Sequence, residues 1–151
     1  MVEKMENLNK LKELEYLNLA LNQIAVIENI EGCESLKKLD LTCNFIELAD
    51  YMESLMNLKK VASMREIYWL GNPCSDWKEG HRALCIAVVP QLMSIDGKEI
   101  TKLERIEAHQ KSAQLLEELD VEVEKATKKL DEMTEFDKQK AWNRASRKVH
   151  C

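Results

Sequence analysis

The chain is poor in the residues that punctuate backbone, with four glycines and two prolines in 151 residues. No glycine-rich loop is present, which excludes the phosphate cradles of nucleotide-binding motifs. Positive charge is also in deficit: the net charge is -5 and the isoelectric point is about 5.3. A general polyanion binder needs an excess of lysine and arginine, so nucleic acid is not an expected partner. Cys33, Cys43, Cys74, Cys85 and Cys151 are odd in number and form no CxxC pair. Neither a secreted disulfide framework nor a zinc ribbon is written here, and a reducing compartment fits better. Cys74, His81 and Cys85 match no zinc spacing and have no fourth ligand, so they read as small buried side chains of a cap helix. His81, His109 and His150 lack a partnered nucleophile or carboxylate motif, which leaves no acid–base constellation and no expected enzyme activity. The longest apolar run, Leu84 to Val89, is far too short to span a bilayer, and no signal or lipidation motif is recognisable. Metal, cofactor and membrane are all unexpected.

What the chain does have is a repeat. Leu14-x-x-Leu17-x-Leu19-x-x-Asn22-x-Ile24 aligns with Leu36-x-x-Leu39-x-Leu41-x-x-Asn44-x-Ile46, and more weakly with Met64-x-x-Ile67-x-Trp69-x-x-Asn72. The first spacing is 22 residues and the second 28, so the second repeat carries an insertion. This is the signature of leucine-rich repeats, and the fold class expected is α/β: a short leucine-rich-repeat solenoid with a C-terminal cap, followed by a long helix. Strand alternation turns Leu17, Leu39 and Ile67 inward and presents Tyr16, Asn18, Ala20, Lys38, Asp40, Thr42, Glu66 and Tyr68 on the open concave face, the candidate protein-binding surface. Trp69 is then core and Tyr68 a contact. Asn22, Asn44 and Asn72 form a structural ladder whose amides satisfy backbone groups where the chain turns. Ile24, Ile27, Ile30 and Cys33 recur every third residue, which suits irregular or 3₁₀ turns rather than a long helix. Leu8 and Leu11 look like the end of an earlier repeat without its strand, and an edge left uncovered there is expected to favour self-association.

After Asn72 the pattern changes. Asp76 and Glu79 read as a capping box for a helix that carries Trp77, Leu84, Cys85 and Val88 on one face until Pro90. Leu92-x-x-Ile95 offers a last rung closed at Asp96-Gly97, where Asp96 is expected to bond backbone just ahead in the turn. From Thr101 onward glycine and proline are absent and one helix is expected, with Leu116, Leu119, Val123, Ala126, Leu130 and Met133 as a short a/d seam. That seam has three arrangements open to it: dimerisation, packing on the solenoid, or exposure. The division expected is 1–100 for repeats and cap, 101–137 for the charged helix, and 138–151 for a basic tail bearing Lys138, Lys140, Arg144, Arg147 and Lys148.

Three linked segments go beyond a generic repeat: Glu28 to Ile46 (ENIEGCESLKKLDLTCNFI), Leu70-Gly-Asn-Pro-Cys-Ser75, and Val89 to Ile100 (VPQLMSIDGKEI), followed by Glu104-Arg-Ile106. Together, over roughly residues 8 to 110, they closely resemble the tilB homologue family, leucine-rich-repeat proteins of ciliated and flagellated cells. The resemblance implies a non-enzymatic cytoplasmic factor in the preassembly of axonemal dynein arms, with cilium, flagellum or basal body as further locations. It implies partners among other assembly factors, including a MYND zinc-finger protein, chaperones and dynein arm subunits. Family members carry further repeats before the one at Leu14 and a domain resembling the CS or p23 co-chaperone fold beyond the coil; this sequence shows neither. Similar caps occur in phosphatase regulators, a spliceosomal leucine-rich-repeat protein and a motor-bound dynein light chain, which keeps a regulatory subunit of another complex open as the alternative.

Overall fold

A computed structural model describes residues 1–132, 139 and 142–143. Three short strands, β1 (Tyr16–Asn18), β2 (Lys38–Asp40) and β3 (Glu66–Tyr68), lie parallel in register, Leu17 beside Leu39 beside Ile67. β4 (Ser94–Ile95) extends the sheet in parallel, and β5 (Lys98–Glu99) folds back on it as an antiparallel hairpin. One face of each strand is apolar because side chains alternate. Leu39, Leu41, Ile67 and Trp69 are fully buried, while Leu17 and Leu19 of the outermost rung are only partly so. The return leg follows the threefold spacing: Ile24, Ile27, Ile30, Cys33 and Leu36 are all at 0% exposure, in a chain of turns with no helix. Residues before β1 run the same way one layer out, where Met5 is buried and the Val2 carbonyl accepts from Gln23 N–H at 2.8 Å.

The insertion in the second repeat forms a 3₁₀ turn at Leu48–Asp50 and a helix, α1 (Tyr51–Lys59), that the strand-and-turn pattern does not disclose. Its Tyr51, Leu55 and Leu58 fill the core, and Ser54 and Asn57 bond the backbone of Ile27 on the neighbouring return leg at 3.0 and 2.7 Å. The residue before each ladder asparagine is left-handed: Leu21 at φ 61°, Cys43 at 57° and Gly71 at 81°. Only Gly71 suits that region without strain, and it is needed twice over, since a Cβ there would sit 2.7 Å from the Cys43 sulfur.

The cap differs from the sequence expectation at its start. Pro73–Asp76 is a 3₁₀ turn and helix α2 spans His81–Val88, its N-cap Gly80 making no side-chain bond, so Asp76 and Glu79 do not form a capping box. The backbone leaves helical geometry at Trp77, whose buried indole lies directly on Gly80; any Cβ at Gly80 would stand 2.0 Å from it. The capping pattern is instead realised at Thr101, whose hydroxyl accepts from Glu104 N–H at the start of α3 (Lys102–Gln110). The single long tail helix is likewise two, α3 and α4 (Ser112–Glu132), divided at Lys111. No glycine or proline marks this break. It lets α4 turn Leu115 and Leu119 onto α2 and the 48–50 turn, each only 4% exposed, while the seam's proposed first member, Leu116, is 40% exposed. Val123 packs beside them and Ala126 is exposed. Met133, the Leu130 side chain, and Lys138, Lys140, Arg144, Arg147, Lys148 and Cys151 lie outside the described residues. Trp142 stacks on Phe45 with centroids 4.9 Å apart and planes at 11°. No described helix is long and apolar enough to cross a membrane.

The left-handed column predicts a stabilising change. Leu21 is half exposed, so Leu21→Asn loses little packing and places a residue that tolerates φ above zero. The denaturant midpoint should rise by the equivalent of about 1 kcal/mol; a lowered midpoint would overturn the strain at this position.

Candidate protein-binding face

The open sheet face stands on hydrogen bonds beneath it. Asn44, 1% exposed, accepts from Ile24 N–H at 2.9 Å and donates to the Leu19 and Leu41 carbonyls at 2.9 and 3.0 Å. Asn72, also 1% exposed, repeats this one rung on, accepting from Ile46 N–H and donating to the Leu41 and Trp69 carbonyls. Each amide thus joins two successive turns. Asn22 accepts from Val2 N–H but donates only within its own turn, to Leu19 and Ala20, and is half-buried because no strand lies beneath it among the described residues.

Above this ladder the register assembles the face in columns. Tyr16, Lys38, Glu66 and Ser94 lie across the sheet in one, and Asn18, Asp40, Tyr68 and Asp96 follow in the next. Ala20 and Thr42 continue just past β1 and β2. All eight sequence-proposed face residues are brought to this surface, half-buried or exposed. The Lys38 ammonium sits between two rings, 4.8 Å from the Tyr16 centroid and 5.0 Å from that of Tyr68, and makes no ion pair with either neighbouring carboxylate. Glu66 accepts from Ser94 Oγ at 3.3 Å, and Asp40 accepts from Thr42 N–H. At the rim, Lys37 pairs with Glu15 at 3.1 Å.

Asp96 completes the second column, and its role differs from the sequence expectation. Asn18 and Asp40 each cap the N–H two residues ahead, at Ala20 and Thr42. A tyrosine at position 68 has no such acceptor. The Asp96 carboxylate reaches back across the rung instead, accepting from Trp69 N–H at 2.7 Å and Leu70 N–H at 3.0 Å from a turn residue at φ 52°. Burial pushes its carboxyl above the usual range while those two bonds pull it down. Sequence reasoning missed the clasp behind it. Arg82 of α2 grips Glu104 with two bonds of 2.7 and 2.9 Å and donates to the Ile95 carbonyl; the pairing lowers the Glu104 carboxyl. Arg105 donates to the Pro90 and Leu92 carbonyls, and Gln91 bonds the carbonyls of Lys59 and Val61 where α1 ends.

The chemistry of this region is that of packing. Cys33, Cys43, Cys74 and Cys85 are buried, and burial pushes the Cys33, Cys74 and Cys85 thiols up, away from the reactive thiolate. Among the described residues no His, Cys, Asp and Glu gather as a metal cluster. The Tyr51, Trp69 and His81 rings pack at tilts of 37° to 52° with centroids 5.0 to 5.3 Å apart, and Tyr51 donates to the His81 carbonyl. Both His81 ring nitrogens and Trp69 Nε1 are buried without a hydrogen-bond partner.

Comparison with known proteins matches residues 12–51 to a family described as leucine rich repeats (2 copies). Dynein axonemal assembly factor 11 of Danio rerio is 48% identical over 110 residues, 73% of this chain and 24% of that protein. The Homo sapiens protein of the same name is 50% identical over 73% of this chain and 23% of its own length. Protein tilB of Drosophila melanogaster is 46% identical over 72% of this chain and 26% of its own length. The chain thus spans about a quarter of the length of these relatives. A chain of the Drosophila melanogaster SNF/U2A' complex superposes with a TM-score of 0.67 at 29% identity, covering 77% of this chain and 68% of that one.

Two measurements test the geometry. Asn44→Leu removes an amide serving three backbone groups, two of them in fully buried bonds, and should lower stability by about 1 to 3 kcal/mol; an unchanged denaturant midpoint would sink the ladder. His81 supplies a pH dependence. Burial lowers its pKa from 6.5 to about 4, so between those values the unfolded chain binds a proton that the folded chain refuses. Stability is therefore whole above pH 6.5 and falls as pH drops toward 4, by up to about 3 kcal/mol. His81→Phe keeps the ring packing and should flatten that part of the acid limb; equal slopes in parent and variant would refute the assignment.

Proposed function

Because its repeat region belongs to the family of proteins named dynein axonemal assembly factor 11 and tilB, we propose that this chain is a protein-binding scaffold acting in the cytoplasmic preassembly of axonemal dynein arms. The observation that carries the reading is the near-half identity over 110 residues, a span that exceeds the repeats alone. Generic solenoid likeness would preserve only the leucines and asparagines. The eight open-face residues are the docking surface in this reading, with other assembly factors of the MYND zinc-finger type, chaperones and dynein arm subunits as partners, and with cilium, flagellum or basal body reached after assembly. Geometry limits what the strands alone can hold. Neighbouring strands lie about 4.8 Å apart, so the four parallel strands span about 14 Å between outer axes, short of an interface of roughly 800 Å² per partner. The cap and the tail helices therefore share the contact. Binding by folding complementarity needs no reacting group, so the scaffold works without an enzyme activity of its own.

The likeness to a chain of the SNF/U2A' complex keeps a subunit role in another assembly as the second reading. Co-purification of the tagged chain from ciliated cells separates the two. Recovery of dynein heavy or intermediate chains with assembly factors is the expected result, and recovery of phosphatase or spliceosomal proteins in their place would overturn the assembly role.

A further inference from the structure

The arrangement of charge on the strand face specifies a partner more narrowly than protein binding alone. Lys38 stands next to two carboxylates, Glu66 across the sheet and Asp40 along its own strand. Its ammonium is drawn to neither and lies instead between the Tyr16 and Tyr68 rings, 4.8 and 5.0 Å from their centroids. Two ring faces spaced to receive a cation are therefore already built and already filled. Around them Asp40, Glu66 and Asp96 leave the face one cation against three anions. Asp40 and Glu66 spend single acceptor sites on Thr42 N–H and Ser94 Oγ, and no basic side chain of the described residues pairs with them.

We propose that the strand face receives a basic side chain, arginine or lysine, of a partner segment in the place Lys38 now occupies between Tyr16 and Tyr68. This rests on the reading of the strand face as the docking surface and names the chemistry it accepts. An incoming guanidinium stacks on a tyrosine face and bonds Asp40 and Glu66 together, which the compact Lys38 ammonium does not do. Lys38 then swings outward into solvent, so it acts as an internal occupant that the partner displaces. The width of the face admits one helix about 10 Å across, or one extended strand, and not a broad surface. The opposite occupant, an acidic segment attracted by Lys38, would meet Asp40, Glu66 and Asp96 at short range.

The sign of the Lys38 effect decides between these. The full chain, isotope-labelled, is titrated with two alanine-based helical peptides of about 20 residues, long enough to hold a helix, one with arginines along a face and its twin with glutamates. The arginine peptide should move the backbone amide signals of residues 16–18, 38–40 and 66–68, with salt weakening the effect. Lys38→Met should tighten that binding roughly threefold, by freeing the rings and removing a like charge. Tyr68→Leu should weaken it by a similar factor. Asp40→Asn with Glu66→Gln keeps both local hydrogen bonds and so the fold, checked by an unchanged melting temperature, and should also weaken it. If the glutamate peptide binds this face and Lys38→Met abolishes that binding, the proposal is overturned while the face remains a docking surface. If neither peptide moves these signals, the proposal also fails, and dynein subunits recovered in the co-purification would leave the assembly role standing without it.

Discussion

A solenoid turning out of each strand leaves amide and carbonyl groups facing a dry interior, and the fold depends on their satisfaction. Asn44 and Asn72 do this with one side chain per turn, accepting from the following leg of the preceding repeat and donating to two strand ends. A short primary amide accepts at its oxygen and donates two N–H bonds from its nitrogen, whereas a serine hydroxyl has a single O–H to donate and leucine has none. Where the chain turns into each asparagine, the residue before it is left-handed. Glycine meets this without cost only at 71, where the Cys43 sulfur would also collide with any Cβ.

The far end of the stack poses a different constraint, since the last hydrophobic layer must be closed. A two-residue strand and its hairpin continue the sheet, α2 covers the layer with Leu84, Cys85 and Ile86, and arginines lock these parts together. Arg82 and Arg105 both reach backbone carbonyls of the β4 region, and a planar guanidinium with five donors is suited to collecting several such acceptors. Gln91 extends the same device to the end of α1. The insertion helix and the cap are thereby one body, and α4 rests on the two of them through Leu115 and Leu119.

The repeat was legible because its constraints are local and periodic. Strand positions, the asparagines, the threefold return leg and the last rung at Ile95 all followed from spacing. What escaped was set by contacts distant in sequence. Nothing near Asp76 announces that Trp77 must lie on Gly80, so a plausible capping pair was read where the chain is still turning. The helix break at Lys111 has no breaker residue, because it arises from Leu115 and Leu119 finding α2, and that shift of phase turned the seam from Leu116 to Leu115. Asp96 was legible as a turn residue but not in its direction. Its partners at Trp69 and Leu70 stand 27 and 26 residues back, where only the register reveals them.

That direction also links the cap to the open face. Positions 18, 40 and 68 occupy one column, and the first two are filled by side chains that cap their own strand ends. A tyrosine at 68 would leave Leu70 N–H without an acceptor unless another group supplied one. Asp96 supplies it from the neighbouring rung, and Gly97 beside it is open enough to lie against the Tyr68 ring, where an added Cβ would stand at 3.7 Å. The structural demand on the column is thus moved onto the cap, and position 68 is released to carry an aromatic ring. Only with that ring in place does the Lys38 ammonium have a second face to lie against. The carboxylate that closes the solenoid and the tyrosine that shapes its surface are two halves of one exchange, so the cap residues bear on recognition as well as on stability.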